Sequence, residues 1–186
     1  MNNHAVQDSD YFSPPDYYDE PVDREISQLR VPPHSNEAES SVLGGLLLDN
    51  NAWDRVADLL VPGDFYRYEH QLVFEAIGKL INGSRPADVI TVFEALQTMG
   101  KDGEVGGLVY LNQLAQYVPS ASNIRRYAEI VRERSILRKL VTASDEIATR
   151  AFNPQGMAVE KVLDEAEQKI FKIGEEGSRM KEGFQA

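Results

Sequence analysis

From residue 35 onward apolar side chains recur at helical spacing, and no stretch alternates apolar with polar for long enough to make a strand. Ser35 or Asn36 can cap a first helix, and Glu39, three residues after Asn36, approximates a capping box. Ala38, Val42, Gly45 and Leu46 mark one face of it. Each glycine of the Gly44-Gly45 pair costs roughly 1 kcal/mol in a helix interior, so a close helix–helix approach is expected there as the offset. A second helix is predicted from Asn51 to Leu60, burying Trp53, Val56, Ala57 and Leu60 and ended by Pro62-Gly63. A third, from Glu69 to Ile81, carries Leu72, Val73, Ala76, Ile77 and Leu80, and Asn82-Gly83 stops it with a left-handed cap. Asp88 caps a fourth, with Val89, Val92, Phe93 and Leu96 on its stripe and Gly100 at its close. Residues 101–107 read as a glycine-broken loop, and a short fifth helix from Leu108 to Tyr117 is broken by Pro119.

After Pro119 the pattern lengthens. One helix runs from Ser122 or Asn123 to about Phe152, roughly 45 Å at 1.5 Å per residue. Asn153-Pro154-Gln155-Gly156 turns the chain, and a further helix from about Ala158 to Ile173 repeats Val159, Val162, Leu163, Ala166, Ile170 and Ile173 at amphipathic spacing. Two long helices joined by a tight turn form an antiparallel hairpin. Its arms carry opposite charge: residues 123–152 net +3 and residues 157–177 net −3. The hairpin holds more apolar surface than two helices can cover. Ile130, Leu137, Val141, Ser144, Ile147 and Ala151 form one stripe, while Ile124, Tyr127, Ala128 and Val131 begin another. Ile136, Leu140, Met157 and Phe171 lie off the main seam. Either the hairpin projects and meets another chain through this surface, or it folds back on the five-helix body as a seven-helix domain. Both arrangements make the fold all-α.

Residues 1–34 break with this pattern. They hold five of the nine prolines, no glycine and a net charge of −5, with few aliphatic side chains to offset the ordering entropy, so disorder is expected. Tyr11, Phe12, Tyr17 and Tyr18 interrupt this acidic arm. Over all 186 residues the charge is −11, and there is no cysteine. The latter excludes disulfides and thiolate metal sites. The former argues against autonomous nucleic-acid binding, which draws on lysine and arginine displacing phosphate counterions. With no signal-like start and no apolar run of spanning length, a cytoplasmic protein that does not enter membranes is expected.

Catalytic chemistry finds no constellation. No Walker or dinucleotide glycine pattern occurs. His4, His34 and His70 are dispersed without metal-ligand spacing. His70, beside Glu69 at a helix start, reads as a surface or capping group. Arg125, Arg126, Arg132, Arg134 and Arg138 could line a nucleic-acid groove, but Glu129 and Glu133 dilute them. Ion pairing within the helix and the hairpin is the plainer account.

The run VPPHSNEAESSVLGGLLLD (Val31 to Asp49) resembles the opening of the bacterial replicative DNA helicases of the DnaB type. GDFY (Gly63 to Tyr66), VGGLVYL (Val105 to Leu111), PSASNIRRYAEIVRERSILR (Pro119 to Arg138), NPQG (Asn153 to Gly156) and EAEQKIFKI (Glu165 to Ile173) follow in that family's order. The resemblance covers about residues 31–174 and only the family's N-terminal region. It implies a five-helix globule (35–119), a hairpin (120–176) that pairs between subunits, and the start of a linker (177–186) toward an absent motor domain. That motor would hold the ATP and magnesium, and no cofactor is expected in this chain. The resemblance further implies a collar made of three dimers, which docks the primase C-terminal domain and contacts a helicase loader; DNA is met only through the full-length protein. By position in the matched motifs, Glu37, Tyr110, Val141, Ile147 and Leu163 are candidates for partner contact, and Ile130, Leu137 and Phe171 for the subunit interface. A different reading makes the arginine-rich helix a guide for single-stranded DNA.

Overall fold

The computed structural model describes residues 31–117 and 123–182. The acidic aromatic arm up to residue 30, Pro119 and Ser122 lie outside the described residues. Among the described residues the chain is all-α, with no strand.

Helix α1 (Asn36–Leu48) starts at Ser35, whose hydroxyl accepts the Ala38 N–H at 3.2 Å. Glu39 is not the capping-box partner the spacing predicted: it is buried and its carboxylate reaches across to residues 66–70. Ala38, Val42, Leu43, Leu46 and Leu47 bury α1 at the centre of the globule. The predicted second helix is a 3₁₀ segment, Asn50–Arg55, followed by turns. Ala52, Val56 and Leu60 are its buried positions, whereas Ala57 is exposed and Trp53 only half-buried. A second 3₁₀ turn, Pro62–Asp64, leads to α2 (Tyr68–Asn82). Here the left-handed residue after the helix is Ser84 (φ 56°), not Gly83 (φ −83°). Asp88 caps α3 (Val89–Thr98) by accepting the Ile90 and Thr91 N–H groups at 2.9 Å. The expected loop at 101–107 contains one helical turn, α4 (Asp102–Val105), which buries Val105 before α5 (Gly107–Gln116).

Helix α6 (Ile124–Phe152) begins inside the globule and leaves it. Ile124, Ala128, Val131 and Ser135 are buried along its first turns, where the helix crosses α1 and meets the Pro62–Asp64 turn. Further on, its surface is shared with α7 (Val159–Glu182). Where the linker was expected to open at residue 177, α7 continues as helix through Glu182. The hairpin is therefore rooted in the globule over its first third and projects beyond it. The opposite charges of the arms meet directly: Lys139 with Glu176, Lys169 with Glu146, and Arg150 with Glu165 at 3.5 Å. The Lys139 hydrogen bond holds the Glu176 carboxyl below the ordinary carboxylate range.

The glycine at the α1–α6 crossing explains itself. A Cβ on Gly45 would stand 2.9 Å from Cδ1 of Ile124, whose side chain is fully buried. Gly45→Val overfills this crossing and is expected to cost roughly 1–3 kcal/mol, read as a lower denaturant midpoint at unchanged slope.

Candidate docking surface

One corner of the globule is organised by a buried carboxylate. Glu39 lies on the same face of α1 as Val42, Leu43 and Leu46, so the helix drives it inward. Its Oε1 accepts the Tyr66 N–H at 2.7 Å, and Oε2 faces the Arg67 N–H at 3.4 Å and Nδ1 of His70 at 2.6 Å. His70 sits on the α2 face that also carries Val73, Phe74 and Ile77 and is fully buried, so it is neither a surface nor a capping group. Its other nitrogen, Nε2, is 2.7 Å from the hydroxyl of Tyr110 on α5. Three elements are thereby joined by one chain of polar contacts. Burial pushes the Tyr110 phenol up, Arg67 opposing it, and the Arg67 guanidinium lies 5.5 Å from the ring centroid. Arg67 is itself paired with Glu69.

A second buried carboxylate ties the hairpin to the globule. Asp64 is fully buried and accepts from Arg132 at 2.7 Å, from Ser135 at 2.7 Å and from the Val61 N–H at 2.9 Å. Arg138 donates to the backbone carbonyls of Asp64 and Pro33, at 2.5 Å and 2.7 Å. Its guanidinium also lies over Tyr66, on which His34 stacks at 4.2 Å. Pro33 and His34, assigned from composition to the disordered arm, are thus fastened to the folded body.

These contacts decide what the arginine helix can do. Arg132 and Arg138 are fastened to the globule, which pairing within the helix and the hairpin did not anticipate, although Arg132 also reaches Glu176 on the facing arm. Arg125 and Arg126 pair with Glu129, as the sequence suggested. Only Arg134 among the five has its side chain turned to solvent without one of these contacts. Arg132 and Arg138 thereby form a structural joint, while Arg126 and Arg134 stay exposed.

The expected partner and interface residues separate into two groups. Glu37 is exposed on the first turn of α1, and Tyr110 is half-buried at the Glu39–His70 corner. Val141, Leu163, Leu137 and Phe171 are exposed on the hairpin, at 46%, 57%, 40% and 68%. Ile147 is half-buried and lines the open groove between the hairpin arms. Ile130 is half-buried and packs against the core of its own globule. Leu140, Phe152, Val159 and Ile170 join the exposed apolar set. Phe152, at 92%, escapes a reading by periodicity because it ends the helix beyond the regular stripe. Among the described residues no three or more acidic or histidine side chains are grouped as they would be to hold a metal ion. No helix among them is long and apolar enough to cross a membrane.

Residues 31–133 match the sequence profile described as the DnaB-like helicase N-terminal domain. The chain belongs to that family. The replicative DNA helicase DnaB of Haemophilus influenzae is 42% identical over 163 residues, 88% of this chain and 35% of that protein. That of Geobacillus stearothermophilus is 38% identical over 151 residues, 81% of this chain and 33% of that protein. The chain thus spans about a third of the length of the curated relatives it matches. The crystal structure of the N-terminal domain of DnaB helicase from Mycobacterium tuberculosis agrees with this fold at a TM-score of 0.72 and 40% identity, over 76% of this chain and 99% of that one. A DnaB-like replicative helicase, solved in a study of its interactions with primase, shares the fold at a TM-score of 0.61 and 22% identity, over 75% of this chain and 31% of that one.

Proposed function

We propose that this DnaB-type N-terminal region is a protein-interaction collar of a replicative DNA helicase. Its hairpins pair between copies, three such dimers make the ring, and the outer surface docks the C-terminal domain of primase and contacts a loader. The observation that carries this reading is the apolar surface left on the hairpin, where Leu137, Leu140, Val141, Val159, Leu163, Ile170 and Phe171 are all at least two-fifths exposed. An exposed apolar set of that size marks a surface for another chain, and it lies on the element that leaves the globule. ATP, magnesium and unwinding belong in this reading to the motor of the longer relatives.

A charge placed at Leu163 or Val141 is expected to weaken binding of the primase C-terminal domain at least tenfold, measured by titration calorimetry, in variants whose far-ultraviolet spectrum and melting are unchanged. Sedimentation of the unmodified chain at tens of micromolar is expected to show dimers. A monomer throughout, together with undiminished primase binding by both variants, would remove the hairpin from both roles.

A further inference from the structure

The Glu39–His70–Tyr110 contacts determine more than packing. An imidazole with both nitrogens in hydrogen bonds must distribute its protons according to its partners. Glu39, already taking the Tyr66 N–H, offers His70 only an acceptor, so Nδ1 carries the hydrogen. In a neutral ring Nε2 is then a bare lone pair, and the Tyr110 hydroxyl must donate to it across 2.7 Å. The order carboxylate, imidazole, hydroxyl is that by which a buried acid fixes a tautomer in hydrolases. Here it does not make a nucleophile, because burial pushes the Tyr110 phenol up and away from phenolate.

We infer that Glu39 and His70 are positioning residues that commit the Tyr110 O–H inward, so that half-buried Tyr110 meets a docking partner only as a hydrogen-bond acceptor and takes an N–H or O–H donor from it. The inference rests on the docking reading for the identity of the partner, but the tautomer stands on this chain alone.

Two measurements test it. Long-range proton–nitrogen correlation spectra of the unmodified chain at neutral pH are expected to show His70 with hydrogen on Nδ1 and none on Nε2. A ring protonated at Nε2 overturns the inference, with or without a partner. Tyr110→Phe, which keeps the ring and removes the acceptor, is expected to weaken the primase C-terminal domain roughly threefold to tenfold, as for one hydrogen bond. If a charge at Val141 weakens that binding while Tyr110→Phe does not, the acceptor role is wrong and the docking reading survives. If neither substitution changes it, both fall.

Discussion

Asp64→Ala is expected to lower stability by roughly 3–5 kcal/mol, the usual consequence of stranding one member of a buried ion pair. The substitution leaves Ser135 without its acceptor inside the fold and Arg132, whose side chain is 12% exposed, without its closest carboxylate. Arg132 retains only the Glu176 carbonyl at 3.2 Å and that residue's carboxylate at 4.0 Å. For a chain of this size the melting temperature should fall by roughly 6–20 °C. The loss has a location as well as a size. Asp64 joins the 3₁₀ turn after the second segment to the α6 root of the hairpin, so amide exchange should rise first along α6 near Ser135 and in residues 61–65, while the Val92 and Leu96 face of α3 stays protected. Asp64→Asn keeps the shape and one acceptor and should lose less than alanine. Arg132→Met added to Asp64→Ala should recover part of the loss, because no uncompensated cation then remains. A double variant no more stable than Asp64→Ala would mean that Arg132 rehydrates freely and that the pair is not the joint.

The sequence made the helices legible and left their polar fastenings largely hidden. Helix periodicity, the Asp88 cap and the oppositely charged hairpin arms all reflect neighbours within a few residues or a pattern repeated along a helix, and the structure contains each of them. The stretch from Asn51 to Leu60 reads as an α-helix in the sequence because Trp53, Val56, Ala57 and Leu60 stand at helical spacing, whereas the fold makes Asn50–Arg55 a 3₁₀ segment and buries Ala52, Val56 and Leu60. Apart from the Val61 N–H beside Asp64, the two carboxylates draw on partners 27 to 71 residues away, and no local rule names such partners. A signal was nevertheless present. Glu39 and His70 each stand three, four and seven residues before apolar core positions (Val42, Leu43, Leu46; Val73, Phe74, Ile77), which places a polar group on a buried stripe. A polar residue at such a position must find a partner. For Asp64 the 3₁₀ turn supplies no period, and only its place in the GDFY motif set it apart.

Glu39→Ala separates the local account of that residue from the tertiary one. If Glu39 served only α1's first turn, its removal would cost about 1 kcal/mol, the value of a lost cap interaction. In the fold it satisfies the buried His70 ring and the part-buried Tyr66 N–H, and alanine supplies no replacement acceptor. Each stranded buried donor costs about 1–3 kcal/mol, so a loss of roughly 3–5 kcal/mol is expected in denaturant unfolding, several times the capping value. Because the same carboxylate orients His70, the variant should also release the Tyr110 hydroxyl, and any folded fraction should show the His70 tautomer mixed or inverted. His70→Ala and the double replacement close the cycle. A double variant losing far less than the two single losses combined would confirm a shared network, since removing both partners leaves fewer orphaned groups than removing either. Strict additivity would mean that Glu39 acts on the 65–67 backbone alone, and the α1–α2–α5 corner would then be held by apolar packing.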